Sequence, residues 1–396
     1  MKISPIYKID LFSPMQIFFF LFVFFIIIPQ VITYQVGLAS LIDIWILLIC
    51  LIGSLAFYFG NKHKHKLKFK SVRNTQIISY IAVIFLIIDV ISGIQIFVSK
   101  EVHEYNTSFL VNDHSNIYKQ LIYLVLLYIK YYTISILIAR RQKLFWIAFL
   151  VEFFCYISSP VRLIALMPVV IFTIYGFYRS YIKITFLRSI VALCLLPFVL
   201  GALLLGRGIS GNHSFFRTML DIISDFDLER FSHILPIALE SFMSYSYLRA
   251  VIVDNFVAIE SGLLRNAFLF ISRSIWHEKP ESISRIIAER YNNQQYNEGG
   301  GSVATIFGDG FINLHIVGVF LICLIAGYSL KLVYNGINIK DNVREQSIRL
   351  MLYALSVHQF LFFFRGFMSE TYWKFLILIL VFKFLNALNL NFKRIG

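Results

Sequence analysis

The sequence predicts an all-α polytopic integral membrane protein with about ten transmembrane helices and one large helical loop. Apolar residues make up 58% of its 396 residues, well above the 45–50% or so of soluble proteins. The mean hydropathy is +0.74, and the apolar residues form runs of about 20, the length that crosses a bilayer. One long polar interval, residues 207–310, interrupts these runs.

The apolar runs divide the chain into three parts. Residues 1–206 hold transmembrane helices 1–7, residues 207–310 form the loop, and residues 311–396 hold helices 8–10. The predicted spans are 14–34, 41–60, 76–98, 119–139, 144–158, 163–178, 189–206, 311–330, 350–364 and 372–390. The first run continues beyond the length of a signal sequence and is followed by further spans, which favours an uncleaved first span.

Basic clusters set the orientation of these spans. Lysine and arginine concentrate at 62–73, 140–143, 179–188, 331–349 and 393–394, and such clusters mark cytoplasmic loops. Both termini are then cytoplasmic and the long loop lies outside, where loops beyond about 60 residues escape the charge rule. The alternating His and Lys of 62–66 also fit a metal or anionic-lipid site, but a loop that sets topology explains them more simply.

The composition argues against several other function classes. The net charge is +14, but most lysines sit in short loops, which argues against nucleic acid as a partner. The four cysteines lie in apolar spans without metal-type spacing, so we expect neither disulfides nor a metal site. No motif predicts a cofactor.

Five ionisable residues fall within or near the predicted spans: Asp43, Asp89, Lys130, Glu152 and His358. Such residues are functional candidates because charge in a bilayer is costly. Asp43 and Lys130 can also be explained by a position near a span end or by snorkelling. Glu152 and Asp89 could pair inside the bundle.

The long loop prefers arginine over lysine. Residues 207–309 contain eight arginines and one lysine, Lys279, whereas the whole chain has 18 of each. Arginine presents a planar fork that binds phosphate or carboxylate at two points, so the bias predicts anion recognition, above all by Arg273, Arg285 and Arg290. The alternative is that these arginines pair with the twelve acidic residues of the loop.

Apolar periodicity predicts helices inside the loop. Helical spacing recurs at 216–231, at 236–259 (Phe242, Tyr245, Leu248, Val251) and at 263–271. Pro280 suits the first turn of a fourth helix, whose Ile283, Ile286 and Ile287 should face the protein. Arg285 and Glu289 share another face of that helix.

Glycines and an acid lie where the chain re-enters the apolar region. The run 299–302 (Gly-Gly-Gly-Ser) could turn its amides toward an anion, with Ser302 capping a helix, or could be a flexible hinge. Asp309 follows at the mouth of span eight, where a carboxylate can act as a general base. Capping a helix or pairing with an arginine are alternatives for it, and Glu298 and His277 are rival bases.

The segment 273–280 (Arg-Ser-Ile-Trp-His-Glu-Lys-Pro) resembles a motif of the bacterial O-antigen polymerase family (Wzy, oligosaccharide repeat-unit polymerases). That family often has Pro-Arg-x-Ile-Trp-x-x-Lys-Pro in its large outer loop; here Ser272 replaces the first proline. Ser158-Ser159 before Arg162, and the 308–318 pattern with Gly308-Asp309-Gly310, Asn313 and Gly318, also resemble the family. Topology and length agree over nearly the whole chain, and the motifs cover about fifty residues.

The resemblance implies a GT-C-like bundle in the bacterial inner membrane, with the loop in the periplasm. It implies transfer of a growing glycan from undecaprenyl pyrophosphate onto a new lipid-linked repeat unit, without a cofactor, with a chain-length regulator protein as a further partner. It assigns substrate-phosphate contacts to Arg273, Lys279, Arg285 and Arg290. Arg162 and Arg365 are added as phosphate ligands because both fall on predicted outer turns, where the bundle could converge under the loop. The alternatives are an O-antigen ligase-type glycosyltransferase and, outside the enzymes, a flippase of lipid-linked oligosaccharide.

Overall fold

The computed structural model describes residues 10–35, 41–67, 75–98, 117–157, 166–182, 240–269, 271, 275–297, 299–337 and 342–391. Within these ranges the chain is helical and has no strand. Predicted span seven (189–206) and the predicted loop helix at 216–231 lie outside them.

The helices before the loop are α1 (Pro14–Phe22, a π-helical turn Val23–Ile27, and Ile28–Gln35), α2 (Leu41–Gly60), α3 (Thr75–Val98), α4 (Ile117–Ile138), α5 (Gln142–Ile157) and α6 (Met167–Tyr178). Those of the loop are α7 (Glu240–Val253), α8 (Glu260–Leu264 and Arg265–Ala267), α9 (Ile283–Tyr291) and α10 (Asn293–Asn297). The last three are α11 (Thr305–Ile337), α12 (Val343–Arg365) and α13 (Met368–Asn391).

Among the described residues, six helices are long and apolar enough to cross a membrane, as expected of a multi-pass membrane protein. They are α1, α2, α4, α11, α12 and α13, and two shorter apolar helices lie in α3 and α6. Outside the loop, each described helix begins and ends within a few residues of a predicted span, except at α11 and α12. These positions are predictable because an apolar run of about 20 residues is a strong signal.

Helix α12 lies at the centre of the bundle. Residues 347–360 are all buried, and the helix packs against α4, α6, α11 and α13. The buried ring of His358 lies edge-on to Phe362, with centroids 5.2 Å apart. The helix runs from Val343 to Arg365, so the predicted span 350–364 forms only part of it.

Glycines allow α2 and α11 to approach closely. A Cβ on Gly60 would lie 2.3 Å from the carbonyl oxygen of Leu324, and one on Gly327 would lie 2.3 Å from that of Phe57. Small residues at helix contacts permit such backbone approach in membrane bundles. The two helices therefore form the tightest described contact of the bundle.

Predicted cytoplasmic segments meet at one end of the bundle, called here the basic end. Asn335 donates to the carbonyl oxygens of His63 and His65 at 3.1 and 2.9 Å. Arg179 donates to Gln346 at 3.3 Å, and both carboxylate oxygens of Asp10 accept from Tyr178. The described loop residues contact the opposite end, called here the loop end. The predicted cytoplasmic segments and the described loop residues thus lie at opposite ends of the bundle, in keeping with the predicted alternation of the spans.

Candidate functional site

The chain reverses direction inside α11. Leu314 and His315 have non-helical dihedral angles (φ −148°, ψ 34° and φ 51°, ψ −142°). Residues 305–313 thus form a short arm that doubles back along residues 316–337. Phe307 on the arm and Cys323 on the long part both lie against Gly53 of α2. We call residues 305–313 the re-entrant arm; the spanning helix itself starts at about residue 316, later than the predicted 311.

Two glycines make this hairpin possible. A Cβ on Gly310 would lie 2.7 Å from the Cα of Val319, and one on Gly318 would lie 2.0 Å from the carbonyl oxygen of Gly310. Neither position has room for a side chain. His315 adopts a left-handed conformation, which is strained for a residue other than glycine.

Asp309 lies in the middle of the re-entrant arm and is fully buried. One turn later, buried Asn313 donates from Nδ2 to the backbone oxygen of Asp309 at 2.7 Å. The loop holds the end of the arm: the amide of Ala258 donates to Ile312 at 2.8 Å, and Gly262 abuts the Asn313 side chain. Asp309 therefore lies fully buried inside the bundle, whereas the sequence predicts it at the mouth of span eight.

The arm starts beside the turn between α12 and α13. A Cβ on Gly366 would lie 2.9 Å from the amide nitrogen of Thr305 and 3.2 Å from that of Ala304. Thr305 has a φ of 61°, and its fully buried hydroxyl has no hydrogen-bond partner within the described ranges. The preceding residue, Arg365, is half-buried and its guanidinium lies 5.2 Å from the Phe367 ring centroid. A helix N-terminus and a buried hydroxyl thus lie beside the turn that follows Arg365.

Lys279, a predicted phosphate ligand, is used by the loop itself. Its side chain is buried (4% exposed), and Nζ donates to the carbonyl oxygens of Leu269 and Ile271, both at 2.7 Å. The ammonium therefore joins Lys279 to the backbone of the 269–271 segment. Within that segment, His277 is exposed.

Arg285 is also engaged within the loop. Its Nη1 donates to the carbonyl oxygens of Tyr296 (2.8 Å) and Gly300 (3.0 Å), and its guanidinium stacks over the Tyr296 ring at 4.1 Å. Glu281, at 3.7 Å, is its acidic partner, rather than Glu289. Arg285 thus joins α9 to the glycine run.

Arg290 lies nearer the surface. Its Nε contacts Asp254 at 3.3 Å with about half of the side chain exposed, and its guanidinium lies 4.8 Å from the Phe256 ring centroid. Burial and the hydrogen bond to Asp254 raise the pKa of the neighbouring Tyr291 to about 12.

Three other candidates, Arg162, Arg273 and Glu298, lie outside the described residues.

The glycine run packs against α9 and α10. The amides of Gly299 and Gly300 donate to Tyr296 and Gln295 at 3.0 and 2.8 Å, and that of Ser302 to Ser284 at 2.8 Å. The Ser302 hydroxyl donates to Gln295 at 2.9 Å rather than capping a helix, since α11 begins at Thr305. These amides are therefore occupied by the loop's own carbonyl groups.

Asp43, at the start of α2, anchors the loop to the bundle. Its Oδ1 accepts from Tyr245 at 3.1 Å and from Arg249 Nε at 3.2 Å. Its side chain is 5% exposed, so it neither snorkels nor faces water. The sequence identified Asp43 as a candidate but not its partners, because a pairing across about 200 residues leaves no local pattern.

A second charged cluster joins α3, α4 and α5. The buried Lys130 Nζ lies 3.1 Å from Asp89 and 3.0 Å from Glu152. The Tyr131 hydroxyl donates to Glu152 at 2.9 Å, and Lys130 donates to the Tyr156 hydroxyl at 3.3 Å. The predicted pairing of Asp89 with Glu152 is thus made through Lys130, which bridges the two acids instead of snorkelling.

Within the described ranges, no three His, Cys, Asp or Glu side chains are placed to hold a metal ion, and Cys50, Cys155 and Cys323 are free thiols. The candidate site is therefore the re-entrant arm with Asp309 and the adjoining Arg365–Gly366 turn. Comparison with protein-family models, characterised proteins and solved structures finds no match to this chain.

Proposed function

We propose that the chain polymerises lipid-pyrophosphate-linked oligosaccharide units into a surface polysaccharide. The observation that carries this is the re-entrant arm: its N-terminus lies beside Gly366, the residue that follows Arg365, and its middle carries the buried Asp309. A donor with a phosphate leaving group needs a cation, and an acceptor hydroxyl needs a base or close positioning. The motif resemblance in the loop supports the same reading.

In the proposed reaction, an acceptor hydroxyl oxygen attacks the anomeric carbon of the donor glycan. The bond from that carbon to the pyrophosphate oxygen breaks, and lipid pyrophosphate leaves with the electron pair. The Arg365 guanidinium, the amides at the start of the arm and the Thr305 hydroxyl stabilise the developing charge, since helix N-termini favour anions. The acceptor proton passes to the Asp309 carboxylate.

The contacts within the loop distinguish candidate residues that hold the loop in place from those that keep a proposed phosphate contact. Lys279 and Arg285 donate to backbone carbonyl groups, so we assign them the role of holding the loop over the site. Arg290 retains an exposed face and a pairing with Asp254. Arg273 and Arg162 keep their proposed phosphate contacts, which rest on the motif resemblance and the arginine bias for Arg273 and on a predicted outer turn for Arg162.

The test is lipopolysaccharide banding from a deletion strain complemented with variants at equal expression. We expect the deletion to display core plus one repeat unit and the wild-type chain to restore a ladder. Arg365→Gln and Asp309→Asn should not restore it, whereas Arg141→Gln, at an exposed arginine of the basic end, should. Bare core in the deletion refutes polymerisation, and a full ladder from Arg365→Gln removes the proposed phosphate site.

A flippase of lipid-linked oligosaccharide is the second candidate. The buried cluster of Lys130, Asp89 and Glu152 favours it, because intramembrane ionisable groups often serve transport. A flippase deletion displays bare core, since no repeat unit reaches the outer face. An O-antigen ligase deletion also gives bare core, so the same gel separates both alternatives from the polymerase.

A further inference from the structure

Helix α8 of the loop exposes an apolar face. Its exposed residues follow helical spacing and, apart from Glu260 at the start of the helix, are apolar: Ile259, Leu263, Leu264, Ala267 and Phe268. The four large side chains among them are between 38% and 47% exposed. We call these five residues the apolar stripe.

The opposite side of α8, which faces the protein, is polar. Ser261, Gly262 and Asn266 are buried there, and neither polar atom of the Asn266 side chain has a hydrogen-bond partner among the described residues. Arg265, which is half-buried, donates from Nη1 to the carbonyl oxygen of Pro280 at 2.8 Å. A surface helix in water buries its apolar side and exposes its polar side, so α8 shows the reverse pattern.

Helix α9 of the same loop shows the ordinary pattern. It buries Ile283 and Ile287 and exposes Glu289 and Arg290, as expected of a helix that faces water. The reversed pattern of α8 is therefore not shared by the whole loop, and the two helices face different surroundings.

The contact between α8 and α13 identifies what the apolar stripe faces. The indole Nε1 of Trp373 donates to the backbone oxygen of Asn266 at 2.7 Å. Trp373 shares one face of α13 with Leu380 and Phe384, by helical spacing, and these two side chains are 64% and 63% exposed. Since α13 is long and apolar enough to cross a membrane, its exposed apolar face meets lipid. Helix α8 is thus attached to the lipid-facing side of the bundle.

We propose that α8 lies in the plane of the bilayer at the loop end, with its apolar stripe among the lipid acyl chains, and anchors the loop to the membrane. A helix of this kind buries its apolar face about 5–10 Å into the boundary between headgroups and acyl chains. The anchor reaches the re-entrant arm, because Ala258 bonds to Ile312 and Gly262 abuts Asn313. The proposal is independent of the catalytic function proposed above, since it involves no substrate.

The test measures the depth of the apolar stripe by tryptophan quenching in the full chain, reconstituted in phosphatidylcholine vesicles. The lipids are brominated either near the headgroup end of the acyl chain or near its methyl end. After subtraction of the wild-type signal, Leu264→Trp should lose about half of its emission to the shallow bromines, at a depth of about 5–10 Å, and less to the deep ones. Phe268→Trp exchanges one aromatic ring for another, so it decides the question if Leu264→Trp does not fold.

Glu289→Trp, at an exposed position of α9, is the matched control for the tryptophan variants. Its added emission should be quenched by iodide in the aqueous phase and by neither brominated lipid. Bromine quenching of Glu289→Trp as strong as that of Leu264→Trp contradicts the proposal, because the reversed pattern of α8 would then have no bearing on lipid contact.

The double substitution Leu263→Asp with Leu264→Asp tests the anchor. Carboxylates are costly in hydrocarbon, so the shallow quenching of Phe268→Trp should fall about twofold or more. Hydrogen exchange of residues 258–262 and 305–313 should rise as α8 leaves the membrane. Asn293→Asp with Asn297→Asp adds the same two charges at exposed positions of α10 and should change neither reading.

Three further results overturn the proposal. If Leu264→Trp and Phe268→Trp are quenched by iodide and not by brominated lipid, the apolar stripe faces water. If their emission is blue-shifted and neither quencher reaches it, protein covers the stripe, either a second copy of the chain or another segment of it. If the two aspartates remove lipid contact without raising hydrogen exchange in residues 305–313, α8 touches lipid but does not anchor the loop.

Discussion

Replacing Lys130 by methionine tests whether the buried cluster holds the bundle together through its lysine. The Nζ lies 3.0 and 3.1 Å from carboxylates of Glu152 and Asp89, and at an effective dielectric constant of about 20 each contact is worth about 5 kcal/mol before desolvation. Without the lysine, the two carboxylates lose the cation that both contact and repel each other as like charges. We expect Lys130→Met to lower the free energy of unfolding by about 3–5 kcal/mol, as when one member of a buried ion pair is removed.

Glu152→Gln should behave differently, although Glu152 is the most buried member of the cluster, at 0% exposed. The amide keeps the shape of the carboxyl group and leaves one lysine facing one aspartate, so the cluster becomes neutral. We expect a change within about 1 kcal/mol, because replacing charge by a neutral group of similar volume is often tolerated. The double variant Lys130→Met with Glu152→Gln should recover part of the loss caused by Lys130→Met alone.

The measurement is reversible unfolding by SDS in mixed micelles, followed by far-ultraviolet circular dichroism. Lys143→Met, at an exposed lysine near the start of α5, is the matched control and should unfold like wild type. The reasoning is refuted if Lys130→Met costs less than about 1 kcal/mol or if Glu152→Gln costs as much as Lys130→Met. A double variant less stable than either single variant also contradicts it.

Four further substitutions test contacts in the loop and around the candidate site. Gly366→Ala combines a φ of +114° with a 2.9 Å approach to Thr305, so it should lower thermal stability and weaken polymerisation, as measured by a melting scan and by banding. Lys279→Met removes both hydrogen bonds that hold the 269–271 segment, and hydrogen exchange should rise there but not in α12. Arg249→Met leaves Asp43 with one partner fewer and should cost about 1–3 kcal/mol, whereas Arg290→Met, at an exposed pair, should cost about 1 kcal/mol or less.

The spanning helices and parts of the loop were predictable from the sequence because their signals are local. On α7 the predicted face is buried at Tyr245, Leu248 and Val251, and on α9 at Ile283 and Ile287. The predicted start of α9 at Pro280 is wrong. Ser282 caps the helix by accepting from the amide of Arg285, so Pro280 precedes the helix instead of lying in its first turn.

The re-entrant arm was not predictable from hydropathy. The sequence of residues 305–337 is apolar both before and after the reversal. The spacing of its apolar residues is the same for one long helix as for a hairpin of two helices. The signal that could have revealed it is the spacing of Gly310 and Gly318, which meet with no room for a Cβ. Glycine pairs in an apolar run mark close backbone approach, but the partner could equally have been another helix.

At the positions the structure describes, the loop's arginines match the alternative of pairing with the loop's own acids: Arg285 contacts Glu281 and Arg290 contacts Asp254. Arg285 also uses its fork to bind two carbonyl oxygens 2.8 and 3.0 Å away, and Arg249 binds Asp43. The geometry that suits phosphate also suits the backbone carbonyl groups of the loop. Composition alone does not separate these uses, because both need several donors in a fixed plane.

The placement of Asp309 on an arm inside the bundle, instead of on the loop, has a physical consequence. Away from bulk water, charges and dipoles act through a lower effective dielectric constant, so in the proposed reaction the start of the arm and Arg365 would stabilise a leaving phosphate more strongly than the same groups on an exposed loop. The arm is continuous in sequence with the helix of residues 316–337, which extends to the basic end. The tight contact between Gly310 and Gly318 fixes the position of the arm against this helix. A rigid placement of this kind is what positioning an acceptor against a donor requires.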